Sequence, residues 1–279
     1  RRQRQMCIRD RPENRAKPEN TAKPDAAARK PAARKQRPTS VGPAVKGNKA
    51  TPLDKISVAK GFQVELLYSV PGVDQGSWVN LCTDGRGRII VSDQYGGLYR
   101  FTPPAPGRPL DPASVEKVPA DIRAVNGMLW AFDALYVGVN DYEQKIPSGF
   151  YRISDSDGDD QLDKVELLRA LDSKGDHGVH AVLLAPDKKS FYLVTGNSTK
   201  PMAREPTSPV PAIWGEDHIL PRMPDGRGHN AGVWAPGGII YRVSLDGKQF
   251  EAVASGSVSY THLRAHETKA NLVCRLLLE

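Results

Sequence analysis

From Leu81 to Ser255 the chain runs in short apolar stretches broken by turn residues, the signature of many brief strands. "LCTDGRGRIIVSD" (Leu81 to Asp93) predicts a strand, an Asp-Gly turn and a second strand. "MLWAFDALYVGVN" (Met128 to Asn140) and "AVLLAPDKKSFYLVTGN" (Ala181 to Asn197) give the same order. A Tyr-Arg stretch follows each pair: "GGLYRFT" at Gly96, "SGFYRIS" at Ser148 and "GGIIYRVS" at Gly237. Further short apolar runs come next, such as "VELLRAL" (Val165 to Leu171) and "FEAVAS" (Phe250 to Ser255). Four strands therefore make one unit.

A four-strand unit repeated three times predicts an all-β fold, three blades of a β-propeller. An open β-sandwich also has many short strands but does not usually repeat a whole unit. Closed rings typically have about four to eight blades, so the sequence reads as a partial propeller with two open sides. Neither Arg1–Arg11 nor Val258–Glu279 carries turn signals or strand alternation. Both resemble translated sequencing-adapter DNA and are set apart from the fold, the alternative being a real basic N-terminus and a C-terminal helix. The expected organisation is 1–11 extraneous, 12–50 linker, 51–257 propeller and 258–279 extraneous.

Charge changes the picture only once it is divided by region. The formal net charge is +7, yet Arg1–Arg11 carries +4, Pro12–Ala50 carries +7 and Val258–Glu279 carries +1, which leaves −5 on Thr51–Ser257. The high pI thus belongs to an Ala/Pro/Lys tract read as a disordered tether, which lacks aromatic residues for base stacking. No nucleic-acid partner is expected. Cys82 stands alone in a strand, where a small buried hydrophobe is the default, and no run is long and apolar enough to span a membrane. No secretory signal is visible in the sequence.

"DSDGDDQLDKVE" (Asp155 to Glu166) is the sharpest local motif. Carboxylates at Asp155, Asp157, Asp159, Asp163 and Glu166, with Gln161 at position 7, have the spacing of a calcium loop. Position 6, where such loops need Gly, is Asp160, which tolerates the left-handed conformation at some cost. A structural Ca2+ site is expected, against the alternative of a solvated acidic hairpin. Further on, "GDHGVHAVLLAPD" (Gly175 to Asp187) brings His177 and His180 to the start of a strand. Gly196 to Gly238 is a long Pro-rich insertion holding Trp214, His218, Arg222, Arg227 and His229. It reads either as a substrate-contacting loop over the propeller axis or as a rigid structural loop.

The His177 stretch resembles the soluble quinoprotein glucose dehydrogenases and related aldose dehydrogenases. Together with "DQGSWVNLCTDGRGRIIVSDQYGGLYRFTPP" (Asp74 to Pro104) and "WGEDHILPRMPDGRGHNAGVWAPGG" (Trp214 to Gly238), it is similar to the N-terminal propeller of planctomycete and verrucomicrobial membrane-bound dehydrogenases. That resemblance implies a six-bladed quinoprotein glucose dehydrogenase/TolB-like fold, pyrroloquinoline quinone (PQQ) as hydride acceptor, and a sugar or alcohol substrate. It also implies His177 as general base, a downstream cytochrome c segment and a periplasmic or secreted location. An imidazole suits a base at neutral pH. The Arg-Asn-Pro motif of those relatives does not follow Gly256, so the chain as given is expected to be inactive, with an incomplete cofactor site. Two other classes stay open: a non-catalytic carbohydrate- or protein-binding propeller, and a metal-dependent lactonase.

Overall fold

The computed structural model describes residues 50–210 and 237–255. Their regular structure is twelve strands and two short 3-10 turns. The first sheet is β1 (Trp78–Thr83), β2 (Ile89–Asp93), β3 (Leu98–Phe101) and β4 (Glu116–Lys117). The second is β5 (Val125–Ala131), β6 (Ala134–Val139), β7 (Gly149–Ser154) and β8 (Lys164–Ala170). The third is β9 (Val179–Leu184), β10 (Ser190–Thr195), β11 (Ile240–Ser244) and β12 (Phe250–Ala254). Each is an antiparallel meander in sequence order, and the first strand of one sheet lies beside the first strand of the next. These are three consecutive propeller blades.

Local chemistry sets the turns. Asp84 accepts the backbone N–H groups of Arg86 and Arg88, both at 2.9 Å, and so winds the turn between β1 and β2. Phe132 and Asp133, both at positive φ, make the two-residue turn between β5 and β6, where Ala131 faces Ala134.

Strand alternation gives each sheet a leading flank, toward the preceding sheet, and a trailing flank, toward the following one. The repeated Tyr-Arg pairs fall into this scheme. Tyr151 and Tyr241 are buried on leading flanks, with Ile153 and Val243 beside them. Arg100, Arg152 and Arg242 stand on trailing flanks, paired across the ladder with Ile90, Tyr136 and Tyr192. Ile90 and Leu98 of the first sheet pack with Val125, Leu135, Val137 and Tyr151 of the second. Tyr136 and Phe150 of the second pack with Phe191, Leu193 and Tyr241 of the third. Two of the core clusters therefore lie between sheets, and a third covers the leading flank of the first sheet, where Val91, Phe101 and Leu110 are buried with Tyr68, Trp78 and Tyr99 packed against them.

Cys82 behaves as expected. It is partly buried against the first junction, and burial, then the nearby Asp84 carboxylate, pushes its thiol up to about 12. It stays protonated and unreactive at neutral pH.

Candidate functional site

Meander topology sorts the connections onto two ends. The link from each sheet to the next shares an end with the turn between second and third strands; the other two turns of each sheet lie at the opposite end. Leu171–Gly178, the link carrying His177, is thus on one end, and the Asp155 loop between β7 and β8 is on the other.

A buried polar network fixes the His177 link. Asn140, just past β6, donates from Nδ2 to the Gly175 carbonyl (2.9 Å) and accepts the Ser173 hydroxyl (3.0 Å). Thr199 donates its hydroxyl to Ser173 Oγ at 3.0 Å, tying the link to the end of the third sheet. Gly178 permits this approach, since a Cβ there would lie 1.9 Å from Asn140 Oδ1. His177 itself is held by three contacts with Asn197 and Ser198. Its backbone N–H donates to Ser198 Oγ (3.2 Å), its carbonyl accepts the Ser198 N–H (2.9 Å), and its Nδ1 lies 3.3 Å from Asn197 Oδ1. An amide oxygen only accepts, so in this contact Nδ1 is the donor.

His180, on β9, is of another kind. Burial, then the neighbouring His177, pushes its imidazole down to about 4, so it is neutral where His177 would work. Its backbone carbonyl sits against Gly127 and Gly138 of the second sheet, where a Cβ would come within 1.8 and 2.6 Å. Through that carbonyl β9 packs closely on the second sheet.

Sequence reasoning missed Tyr95, in the turn between β2 and β3. Burial raises its phenol pKa, and Asp176 is the first of the carboxylates that raise it further, so this turn and the His177 link converge. The motif "SDQYGGLYR" held the residue, but no spacing rule connects it to position 176. Next to Tyr95 opens a cleft of about 670 Å³, lined by Gly96, Gly97, Lys117, Arg123 and Lys145 among others. Arg123 spans its base, donating to the Tyr95 carbonyl (2.8 Å) and pairing with Glu143.

At the far end, one carboxylate oxygen from each of Asp155, Asp157 and Asp159 lies within 4.8 Å of the others. These side chains also accept loop N–H groups: Asp155 from Gly158 and Asp160 (both 2.7 Å), Asp159 from Gln161 (2.8 Å). Those bonds hold Asp155 below the usual carboxylate range. Asp163 accepts the Ser156 N–H (3.0 Å) and hydroxyl (2.7 Å), which lowers its pKa as well. Glu166 is not gathered in. It lies on β8 opposite Arg152, 3.6 Å from its guanidinium.

Asp160, the residue out of place in a calcium loop, does adopt the left-handed conformation, at φ 70°. Its carboxylate turns to the first sheet and takes both terminal nitrogens of Arg88, at 2.5 and 2.8 Å, while Arg86 approaches to 2.9 Å. Arg100 donates to its backbone carbonyl at 2.9 Å. Asp160 is thus held below the usual range, first by Arg88. Its side chain exchanges a loop glycine for a clamp between sheets.

His218, Arg222, Arg227 and His229 lie outside the described residues, as do Trp214 and both end segments. No helix among the described residues is long and apolar enough to cross a membrane.

No protein-family model matches the sequence, and no curated protein does. Among solved structures, the chain is similar to the PQQ-bound form of an aldose sugar dehydrogenase from Streptomyces coelicolor, with a TM-score of 0.36 and 17% identity. The match covers 61% of this chain and 45% of that one, so the chain spans less than half of that protein's length.

Proposed function

We propose that the end of the propeller carrying His177 is the proton-accepting side of a site that oxidises a sugar or small alcohol, in a protein of the periplasm or cell exterior. The observation that carries this reading is how His177 is held: Nδ1 lies 3.3 Å from Asn197 Oδ1 and Ser198 engages the backbone, an arrangement that orients an imidazole for proton transfer through Nε2. Such a nitrogen takes the proton of a substrate hydroxyl as hydride leaves the same carbon. PQQ would supply the hydride acceptor. That quinone bears three carboxylates; the side chains of Asn197 and Ser198 that hold His177 are neutral, and three cations described at this end, Lys117, Arg123 and Lys145, line the adjoining cleft and would be the groups to meet such carboxylates.

NMR of the imidazole nitrogens during titration with D-glucose tests the reading. A saturable shift at His177 Nε2, absent in Asn197→Ala, is expected, and no shift at any glucose concentration would overturn it. The adjoining cleft favours a second reading, a propeller that binds carbohydrate or protein at this face without reacting. In that case His177→Asn leaves ligand affinity unchanged.

The same proposal includes one structural calcium ion at the opposite end, held by Asp155, Asp157 and Asp159 and completed by Asp163 and Gln161. In its support, the three carboxylates spend oxygens on loop N–H groups, as a wound cation loop does, and still converge. Calorimetric titration should give a saturable calcium signal that Asp157→Ala abolishes. Glu166→Gln should leave it unchanged, because Glu166 faces Arg152. A signal indifferent to Asp157→Ala would sink the site.

A further inference from the structure

The cleft beside Tyr95 carries more charge than a neutral sugar needs. Along the link from β4 to β5, Val118, Ala120 and Ile122 turn into the core of the first junction, and alternation leaves Asp121 and the half-buried Arg123 on the cleft side. Lys117 enters from β4 and Lys145 from the loop after β6, so three cations from three segments line a space of about 670 Å³. That volume lies within the range of about 300–1,000 Å³ typical of small-molecule sites. The Lys117 side chain passes Gly97, its Cε 3.9 Å from where a Cβ on that glycine would stand.

The carboxylates nearby are engaged elsewhere or outnumbered. Glu116, next to Lys117, pairs with Arg100, while Asp141, buried 3.8 Å from Arg123, accepts the N–H groups of Glu143, Lys145 and Ile146. Glu143 pairs with Arg123 and with Lys145, the latter at 2.9 Å. Three cations against Asp121 and Glu143 leave a surplus of one positive charge, and Lys117 has no ion pair among the described residues. One surplus charge beside an aromatic side chain suits a single carboxylate on a sugar ring; a phosphate dianion, or all three carboxylates of PQQ together, would exceed it. We infer that this cleft binds a uronic acid, its carboxylate on Lys117 and its ring beside Tyr95, which rests on the reading that a sugar enters at this end of the propeller.

Calorimetric titration of the full chain with sodium D-glucuronate, D-glucose and PQQ, each alone, tests this. Glucuronate should bind about tenfold more tightly than glucose, the value of one charge-assisted hydrogen bond, and the advantage should shrink in high salt. Lys117→Gln should abolish that advantage and Lys117→Arg, which keeps the charge, should retain it; Lys117 is exposed, so neither substitution disturbs the interior. Lys174→Gln, at the same end but paired with Asp172, should leave glucuronate affinity unchanged. Equal affinity for the two sugars would overturn the carboxylate site and leave the sugar-binding end standing, whereas no heat from either sugar would overturn both. A preference indifferent to Lys117→Gln would overturn the assignment to this cleft. PQQ binding that Lys117→Gln abolishes, with glucuronate silent, would overturn the acidic sugar and assign the cleft to the quinone.

Discussion

The two junctions between sheets are built from the same repeated positions but closed by different forces. Between the first and second sheets the apolar layer is mostly aliphatic, and an electrostatic clamp of Asp84, Arg88, Arg100 and Asp160 seals one end. Between the second and third sheets the layer is aromatic. Tyr136, Phe150 and Phe191 pack with ring centroids 4.4 to 6.0 Å apart, and Tyr241 and Phe250 extend the cluster. Here the polar closure sits at the His177 end, in Asn140, Ser173 and Thr199, and glycines bring the backbones together. One repeat can therefore be sealed by charge at the end away from the site or by shape beside it. The candidate site lies at the second junction, where close packing and neutral hydrogen bonds fix His177 more firmly than exposed ion pairs would.

The largest test of this contrast is Phe191→Ala. Removing a ring that touches both sheets should cost about 3–5 kcal/mol by denaturant unfolding, with Tyr136 and Phe150 losing a common neighbour. A loss below about 1 kcal/mol would mean that the aromatic layer does not hold the junction. Next comes acidity. The imidazole of His180 is near 4 when folded and near 6.5 otherwise, so its contribution is fully present above pH 6.5 and is lost as pH falls toward 4. The full span is on the order of 3 kcal/mol. Melting temperature should fall through that window, and His180→Gln should flatten the fall. The depressed carboxylates, Asp160 among them, act only lower, as pH drops below the ordinary carboxylate range. The smallest effect is Asp160→Asn, which keeps the shape and deletes the charge that Arg88 engages. Asp160 is partly exposed, so about 2 kcal/mol is expected, and the difference from wild type should shrink in high salt. A salt-independent loss would assign the clamp to packing.

Much of the fold was legible because alternation and turn chemistry are local. The Tyr-Arg repeats, the Asp-Gly turn at Asp84 and the apolar runs on either side predict the strands that form, and the lone strand cysteine is the inert thiol expected. The acidic loop was legible only in part. Spacing brought Asp155, Asp157 and Asp159 together, but strand pairing, which begins at Lys164, carries Glu166 off to Arg152.

The sequence by itself determined which residues make strands, where they turn, how many times the unit recurs and where acidic or basic chemistry could gather. Neighbouring residues in the chain enforce all of these. Tertiary structure alone decided which faces meet. Asp160 finds Arg88 72 positions away, Tyr95 comes near Asp176, and Gly127 admits the His180 carbonyl. Strand alternation specifies that a side chain points to one flank, but the neighbour on that flank comes from another sheet, and no local periodicity encodes which one.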